Sequence, residues 1–379
     1  MKIVHIIHTY YPKVGGIEKV VQYLAEEQAK LGHDVMVITS NIDVAGSPEE
    51  EKINGVNIIR LRSRKLYYID LTMPLEEPPI EEIDIIHAYS QNSLFSVIVT
   101  EKLAKKLRVK VAFHFMAVDA FKDHPNKFLR LLAPYYERRN TWRALKIADL
   151  PLVMSIRDSE ILKKKYGDEA IYLPNGVPDY YFTVKKGDPD EFREKFGITQ
   201  EKIFLFIGRM HGLKGPHILV EALKYVDENV AAVFIGPDGG HLRETLNLAE
   251  RIGVKDRVYI LGFVDEKTKI QALDSAVALI LPSVADFVEV YSIVTSEAWA
   301  REKPVIASRV GEVPYRIKQY VNGILVDPSE PKMLAEAMLK VANDDKLSGK
   351  MGRNGRKNVF SWKKLATRSI ELYMQVLEN

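Results

Sequence analysis

Asp286-Phe-Val-Glu-Val-Tyr-Ser-Ile-Val-Thr-Ser-Glu-Ala-Trp-Ala-Arg-Glu-Lys-Pro304 lies between two short apolar runs, 277–281 before it and 304–307 after it. Runs of that length and character read as buried parallel strands. The segment between them reads as a loop and then a helix of about three turns, starting near Val290 or Tyr291. Strand, loop, helix and strand make one unit of a parallel sheet. Two carboxylates fall inside it. Glu289 stands at or just before the expected helix start, and Glu297 follows roughly two turns on, near the same face. The free amides of Val290, Tyr291 and Ser292 would point out of the helix N-terminus, where anions bind. Carboxylates that accept from vicinal hydroxyls, beside amides that meet phosphate oxygens, suit a sugar nucleotide. The bland alternative is a solvated helix with two surface glutamates, so the remaining chain has to decide.

A chain of 379 residues is too long for one ordinary core and implies two domains. No apolar stretch reaches membrane-spanning length. Met1-Lys2 opens directly onto a strand, so no secretory leader is expected. Cysteine is absent, which excludes disulfides and thiolate metal sites. A formal net charge of +3 is close to balance and argues against a dedicated nucleic-acid binder. These features describe a cytoplasmic enzyme.

Outward from the opening stretch, the same alternation fills both halves. Residues 2–8 read as a buried strand, followed by Thr9-Tyr-Tyr-Pro-Lys-Val-Gly-Gly16, a helix over 17–31 and a strand over 34–39. Gly15 and Gly16 remove side chains where backbone must approach a ligand. The full dinucleotide fingerprint is missing. Further strands are expected at 56–61, 84–87, 109–115, 150–154 and 171–173, with 65–79 irregular. Pro174-Asn-Gly-Val-Pro178 breaks the pattern and reads as an interdomain hinge. The second half restarts with strands at 203–208, 231–235, 258–261, 277–281, 305–307 and 324–326, and the chain ends in an amphipathic helix over 361–377. The expected fold is α/β, with two Rossmann-like doubly wound parallel-sheet domains facing a central cleft. Residues 1–178 form the first domain, completed by 361–379, and residues 179–360 form the second. Such sheets carry ligand loops at the carboxyl ends of their strands. Gly15, Gly16, His114, Arg209, Lys214, Gly236 and Glu289 all fall at those ends and are expected to converge on the cleft.

Arg209 and Lys214 bracket a glycine-containing loop after a strand, and two fixed cations there suit a diphosphate. Preplaced cations stabilise the charge that builds on a leaving nucleoside diphosphate. Asp188-Pro-Asp190 lies in a polar connector and makes a poor metal motif, so cationic side chains are expected in place of a metal. His114 ends a strand on the cleft side and suits a donor-sugar hydroxyl; a structural histidine is the alternative. His8 has a weaker claim of the same kind. Residues 101–165 hold 16 Lys and Arg against 7 acids, interleaved with Phe128, Leu129, Leu131, Leu132, Tyr135, Tyr136 and Trp142. That face suits anionic lipid head groups or an anionic acceptor, or simply a charged helix surface.

These motifs resemble the retaining family-4 glycosyltransferases of the GT-B fold, over essentially the whole chain. Gly15-Gly16-Ile17-Glu18 resembles that family's N-terminal glycine loop, and Pro174-Asn-Gly-Val177 its hinge. Gly208-Arg209 with Lys214-Gly215 resembles its Gly-Arg…Lys-Gly loop. Glu289 to Glu297 resembles its Glu-x7-Glu signature, followed by Pro304-Val-Ile-Ala-Ser308. The resemblance implies a hexosyltransferase-type enzyme with a UDP-, GDP- or ADP-sugar donor, a hydroxyl acceptor, no obligatory metal or other cofactor, and front-face displacement. It implies that Arg209 and Lys214 hold the diphosphate and that Glu297 binds the ribose. It further implies that Glu289 contacts sugar hydroxyls, assisted by the amides at Val290, Tyr291 and Ser292. Gly15, Gly16, Asn175 and Gly236 would line the donor, with His114 near its sugar, and the terminal helix would return to the first domain.

The chain also departs from the family. Glu289-Val-Tyr-Ser292 replaces Glu-Pro-Phe-Gly, Glu302 stands where glycine is common, and Gly311-Glu-Val-Pro-Tyr315 replaces Gly-Gly-x-Pro-Glu. Those changes leave the donor open. A sugar-nucleotide 2-epimerase of the same fold and a non-catalytic nucleotide-sugar binding protein are the alternatives. The first lacks a clear acid–base constellation here, and the paired cations speak against the second.

Overall fold

The structure is a computed structural model that describes residues 1–13, 15–66, 71–119 and 127–378, with only the backbone described at 127–129. The chain divides into two compact units, Met1–Gly176 with Phe360–Asn379, and Val177–Val359. Among the described residues no helix is long and apolar enough to cross a membrane.

The first unit is built on strands β1 (Lys2–Ile6), β2 (Asp34–Ser40), β3 (Glu50–Ile53), β4 (Val56–Leu61), β7 (Ile85–Tyr89), β8 (Lys110–Phe115), β9 (Leu150–Val153) and β10 (Ile171–Tyr172), while β5 (Ser63–Lys65) and β6 (Thr72–Pro74) pair as a separate ribbon. The sheet order is β10-β9-β8-β7-β1-β2-β4-β3. Every pair is parallel except β3 with β4. The order reverses between β1 and β7, which makes the switch point of a doubly wound sheet. The short strand β3 reads as polar because it is an edge, with Glu50 exposed and Glu51 and Lys52 on alternate faces. Glu51 instead pairs with Arg60, whose buried guanidinium also donates to Pro48 O at 2.9 Å and Tyr11 O at 2.8 Å. The stretch expected to be irregular, 65–79, contains β6; its residues 67–70 lie outside the described residues.

Strand residues alternate between two cores, as period two requires. Val4, Ile6, Ile86, Val111 and Phe113 pack on one side with Phe95 and Val99 of the Leu94–Leu107 helix. Ile3, Ile85, Ala112 and Leu152 pack on the other with Val20 and Leu24 of the Gly16–Lys30 helix and with Leu365, Leu372 and Tyr373 of the terminal Trp362–Leu377 helix. Each buried leucine stabilises by about 1.5–3 kcal/mol. Gly176 lets that terminal helix come close, since an added Cβ would lie 2.9 Å from the Trp362 backbone nitrogen. A polar seam crosses the same core. Gln28 accepts from or donates around three partners: His5 Nε2 at 2.7 Å, Ser369 Oγ at 2.8 Å and the Tyr373 hydroxyl at 3.3 Å. The Tyr373 hydroxyl also meets His87 Nδ1 at 2.6 Å.

The second unit is a fully parallel sheet, β13-β12-β11-β14-β15-β16. Its strands are β11 (Lys202–Ile207), β12 (Val230–Ile235), β13 (Val258–Gly262), β14 (Ala276–Leu281), β15 (Val305–Ser308) and β16 (Gly323–Val326). The order reverses between β11 and β14, so loops leaving those two strands meet at its switch point. Apolar helices cover both faces, and Trp299 is sealed among them with its indole nitrogen donating to Asn322 O at 2.9 Å. Arg301 and Asp274 form a buried two-pronged pair, with both contacts at 2.8 Å. The free edge of β16 is covered by its own chain. Gln319 accepts from Leu325 N at 2.7 Å and donates back to Leu325 O at 3.5 Å.

Candidate active site

The loops after β11 and β14 are laced together. Val284 N donates to Leu213 O at 3.0 Å. Gly215 stands at φ +70°, and a Cβ there would lie 2.0 Å from Pro282 O, so only glycine fits. This close approach delivers Lys214 onto Glu289. Lys214 Nζ donates to Glu289 Oε1 at 2.6 Å and to Val288 O at 3.0 Å, and Ser283 Oγ donates to the same carboxylate oxygen at 2.6 Å. Glu289 is 2% exposed, yet its charge is met by a cation and a hydroxyl. The Glu289 carbonyl in turn accepts from Glu312 N at 2.8 Å. That backbone bond needs Gly311, where an added Cβ would lie 2.3 Å from Glu289 O. Arg209 follows β11, exposed, with its side chain laid over Gly239.

Glu297 sits on the Ile293–Ala300 helix and is buried. Its Oε1 accepts from Lys269 Nζ at 2.9 Å, and its Oε2 is buried with no hydrogen-bond partner. Lys269 also reaches Glu266 Oε1 at 3.0 Å. Burial pulls the Lys269 ammonium down, but the Glu297 and Glu266 carboxylates outweigh it and its pKa lies above the ordinary lysine value.

The helix expected to start near Val290 or Tyr291 starts at Ile293 instead. Ser292 is extended (φ −79°, ψ 100°) and caps it, its Oγ accepting from Thr295 N at 3.4 Å. The amides of Val290, Tyr291 and Ser292 therefore precede the helix, and the open first-turn amides belong to Ile293 and Val294. Arg316 fixes this entry segment. It donates to Ser292 O at 2.8 Å and Ser296 Oγ at 2.6 Å, and its guanidinium lies 4.1 Å from the Tyr291 ring centre.

Gly236 stands at φ +136° because the neighbouring loop needs the room: an added Cβ would lie 2.0 Å from Gly208 O. Asp188 is spent as a helix cap, accepting from Asp190 N at 2.9 Å. No group of three or more His, Cys, Asp or Glu side chains placed for a metal occurs among the described residues.

In the first unit, Gly15 caps the Gly16–Lys30 helix, and an added Cβ there would collide with the Glu18 carboxylate, which accepts from Thr9 Oγ1 at 2.6 Å. An added Cβ on Gly16 would meet no described atom within 4 Å, so that position is bare for approach from outside. Asn175 is buried, its Nδ2 contacting Met154 Sδ at 3.8 Å. His114 is the penultimate residue of its strand and is buried. Alternation puts it on the same covered side as Ala112, where its ring stacks 5.5 Å from His87. Burial pushes the imidazole down to about 3, against the opposing pull of the Leu173 and Val153 backbone, so it stays neutral.

Ser283, Lys269 and Arg316 complete this arrangement, and the sequence does not mark them. Ser283 follows a proline at a strand end and Lys269 sits in a charged helical run, so neither carries a local signal. The change at Gly311-Glu-Val-Pro-Tyr315, next to Arg316, is the one trace.

The molecule is thus an α/β protein of two doubly wound units, the second with a cation–carboxylate pair at the switch point, where such sheets carry their ligand loops. The family Glycosyl transferases group 1 matches residues 188–358, and Glycosyltransferase Family 4 matches residues 14–180. The chain belongs to these glycosyltransferases and is a glycosyltransferase of the GT-B fold. It is 27% identical to an uncharacterized glycosyltransferase of Methanocaldococcus jannaschii, covering 100% of this chain and 99% of that protein. The sucrose-phosphate synthase of Thermosynechococcus elongatus superposes with a TM-score of 0.78 at 21% identity, over 100% of this chain and 99% of that one. HepE of Anabaena, solved in complex with UDP, also gives 0.78, at 18% identity over 99% and 100%.

Proposed function

We propose that the enzyme transfers a sugar from a nucleoside-diphosphate sugar to a hydroxyl acceptor with retention of anomeric configuration and without a metal. The observation that carries this reading is the Lys214–Glu289–Ser283 cluster at the switch point of the second unit, with Glu297 on the helix that follows. Lys214 and Arg209 take the diphosphate, Glu289 accepts from donor-sugar hydroxyls, and Glu297 accepts from the ribose. The C1–oxygen bond to the β-phosphate breaks as the acceptor oxygen bonds C1 on the same face. The acceptor proton passes to the leaving phosphate, whose growing charge the two cations stabilise. Because the cations supply that charge compensation, magnesium is dispensable. The UDP-glucose complex of HepE makes UDP-sugars the first donors to try.

The first unit is the acceptor domain in this reading. On its Lys127–Ile147 helix, Leu131, Leu132 and Tyr135 stand exposed beside Arg130, Arg138 and Arg139, a pattern that suits an anionic membrane face. Positions 122 and 123 of that basic stretch lie outside the described residues. Flotation with anionic but not neutral vesicles is expected, and equal flotation would remove the membrane surface from the reading.

A thermal-shift screen of UDP, GDP, ADP and their common sugars, with EDTA and with Mg²⁺, tests the core of it. One nucleotide should raise the melting temperature in EDTA by mass action, and Lys214→Ala should abolish the shift. No stabilisation of folded protein by any of them would overturn the assignment. Proton NMR of the product then reads the anomeric configuration, and an inverted product would overturn retention.

A further inference from the structure

Lys269 is placed on the ligand side of the second unit by topology. The Glu266–Ser275 helix runs into β14, so its first turns lie at the carboxyl edge of the sheet, where the Ile293–Ala300 helix begins. Lys269 is held from three sides. Its ammonium meets Glu297 Oε1 at 2.9 Å and Glu266 Oε1 at 3.0 Å, and lies 5.5 Å from the Tyr181 ring centre. The Tyr181 hydroxyl donates to the other oxygen of Glu266 at 2.9 Å. Lysine, glutamate and tyrosine thus brace one another, and the brace ends on one oxygen of Glu297. The second oxygen, Oε2, is buried and left without a donor. A buried carboxylate oxygen with no partner is costly, and a ligand hydroxyl removes that cost.

Resting on the reading that Glu297 receives the ribose, we propose that Lys269 is a positioning residue for nucleotide recognition. It occupies Oε1, fixes the carboxylate rotamer, and leaves Oε2 as the acceptor for a ribose hydroxyl. The consequence is selectivity for ribonucleotides over nucleotides lacking both hydroxyls. Without Lys269 the carboxylate rotates and is neutralised or hydrated, and the selectivity falls.

Titration calorimetry with UDP, GDP and ADP, each against its 2′,3′-dideoxy form, reads this directly. The wild type should prefer the ribonucleotide by about 10- to 100-fold, the effect of one hydrogen bond to a charged group. Glu297→Ala should bring the ratio close to one, and Lys269→Met should do the same while binding of the dideoxy form barely changes. A brace with only a structural role would weaken both forms together and leave their ratio intact. A wild-type ratio retained in Lys269→Met but lost in Glu297→Ala overturns the proposal alone. A ratio near one in the wild type, or one unmoved by Glu297→Ala, overturns the ribose assignment and the proposal with it. Should Lys269→Met not fold, Lys269→Met with Glu297→Gln leaves no bare buried charge. Its ratio should fall below that of Glu297→Gln alone, and equality between the two overturns the role of Lys269.

Discussion

Lys214 has two duties that one substitution separates. In the proposed reaction it supplies charge for a leaving diphosphate, and in the fold it neutralises Glu289, whose carboxylate is buried. Lys214→Ala leaves that carboxylate with only the Ser283 hydroxyl. Removing one partner of a fully buried pair costs about 3–5 kcal/mol. Lys214 is itself 28% exposed, and water entering the gap lowers the expected loss to about 1–2 kcal/mol. The rate should fall by about 10²–10³, the usual effect of deleting one preplaced charge stabiliser. Urea unfolding and initial rates on the same preparation check both. An unchanged rate with the stability loss present would leave Lys214 a structural residue. The order of charged groups along the chain singles out both residues, because the loop glycines and the two strand ends are local signals, but it does not say that they pair. Lys269, Ser283 and Arg316 carry none, since each acquires its role from an element distant in sequence. His114 shows the limit of such local signals. Position near a strand end does not say which face the ring takes, and pairing of Tyr89 with His114 puts it in the covered core.

Element by element, strands of the parallel sheets were readable because buried on both faces they become continuous apolar runs. β3 was not, since an antiparallel edge strand is charged on its outer side. The start of the helix after Glu289 lies two or three residues later than expected because Val290 and Tyr291 look like its first apolar turn. Ser292 is the better signal, a residue whose hydroxyl competes for backbone amides and so favours the cap. Ser292→Ala should lower the unfolding free energy by about 1 kcal/mol, and Ser292→Asp should restore most of it. Chemical denaturation of the two variants checks this; an Ala variant as stable as the wild type would mean that Arg316, bonded to Ser292 O, holds the entry without the cap. Glu302 is a related case at the other end of this helix. It adopts φ +60°, a conformation glycine takes freely, while its side chain pairs with Lys186 at 2.7 Å.

On the scale of the whole molecule, the buried titratable groups are unevenly shared between the two units, and acid should therefore act on them unequally. In the first unit, burial holds His5 and His8 down to about 4 and His114 down to about 3, with His87 well below its ordinary value. In the second, His217 is shifted downward while half-buried. A histidine whose folded pKa is depressed binds its proton more readily when unfolded. Its contribution is fully present above the unfolded pKa near 6.5 and is lost as pH falls toward the folded value. Each such group costs about 1.4 kcal/mol per pH unit across that window. Asp158, raised by burial to about 6, works the other way, gaining stability as pH falls from about 6 toward its unfolded value. One carboxyl against four histidines leaves a net loss of several kcal/mol by pH 5, comparable with the whole stability of a domain. Urea unfolding at pH 7.5, 6 and 5, with limited proteolysis to tell the units apart, should show the first unit's midpoint falling steeply and the second's only slightly. His114→Gln should flatten the slope by about one proton's share, 1.4 kcal/mol per pH unit. Midpoints that fall together, or a slope that His114→Gln leaves untouched, would mean that these imidazoles gain solvent or partners in the folded protein and are not sealed as neutral rings.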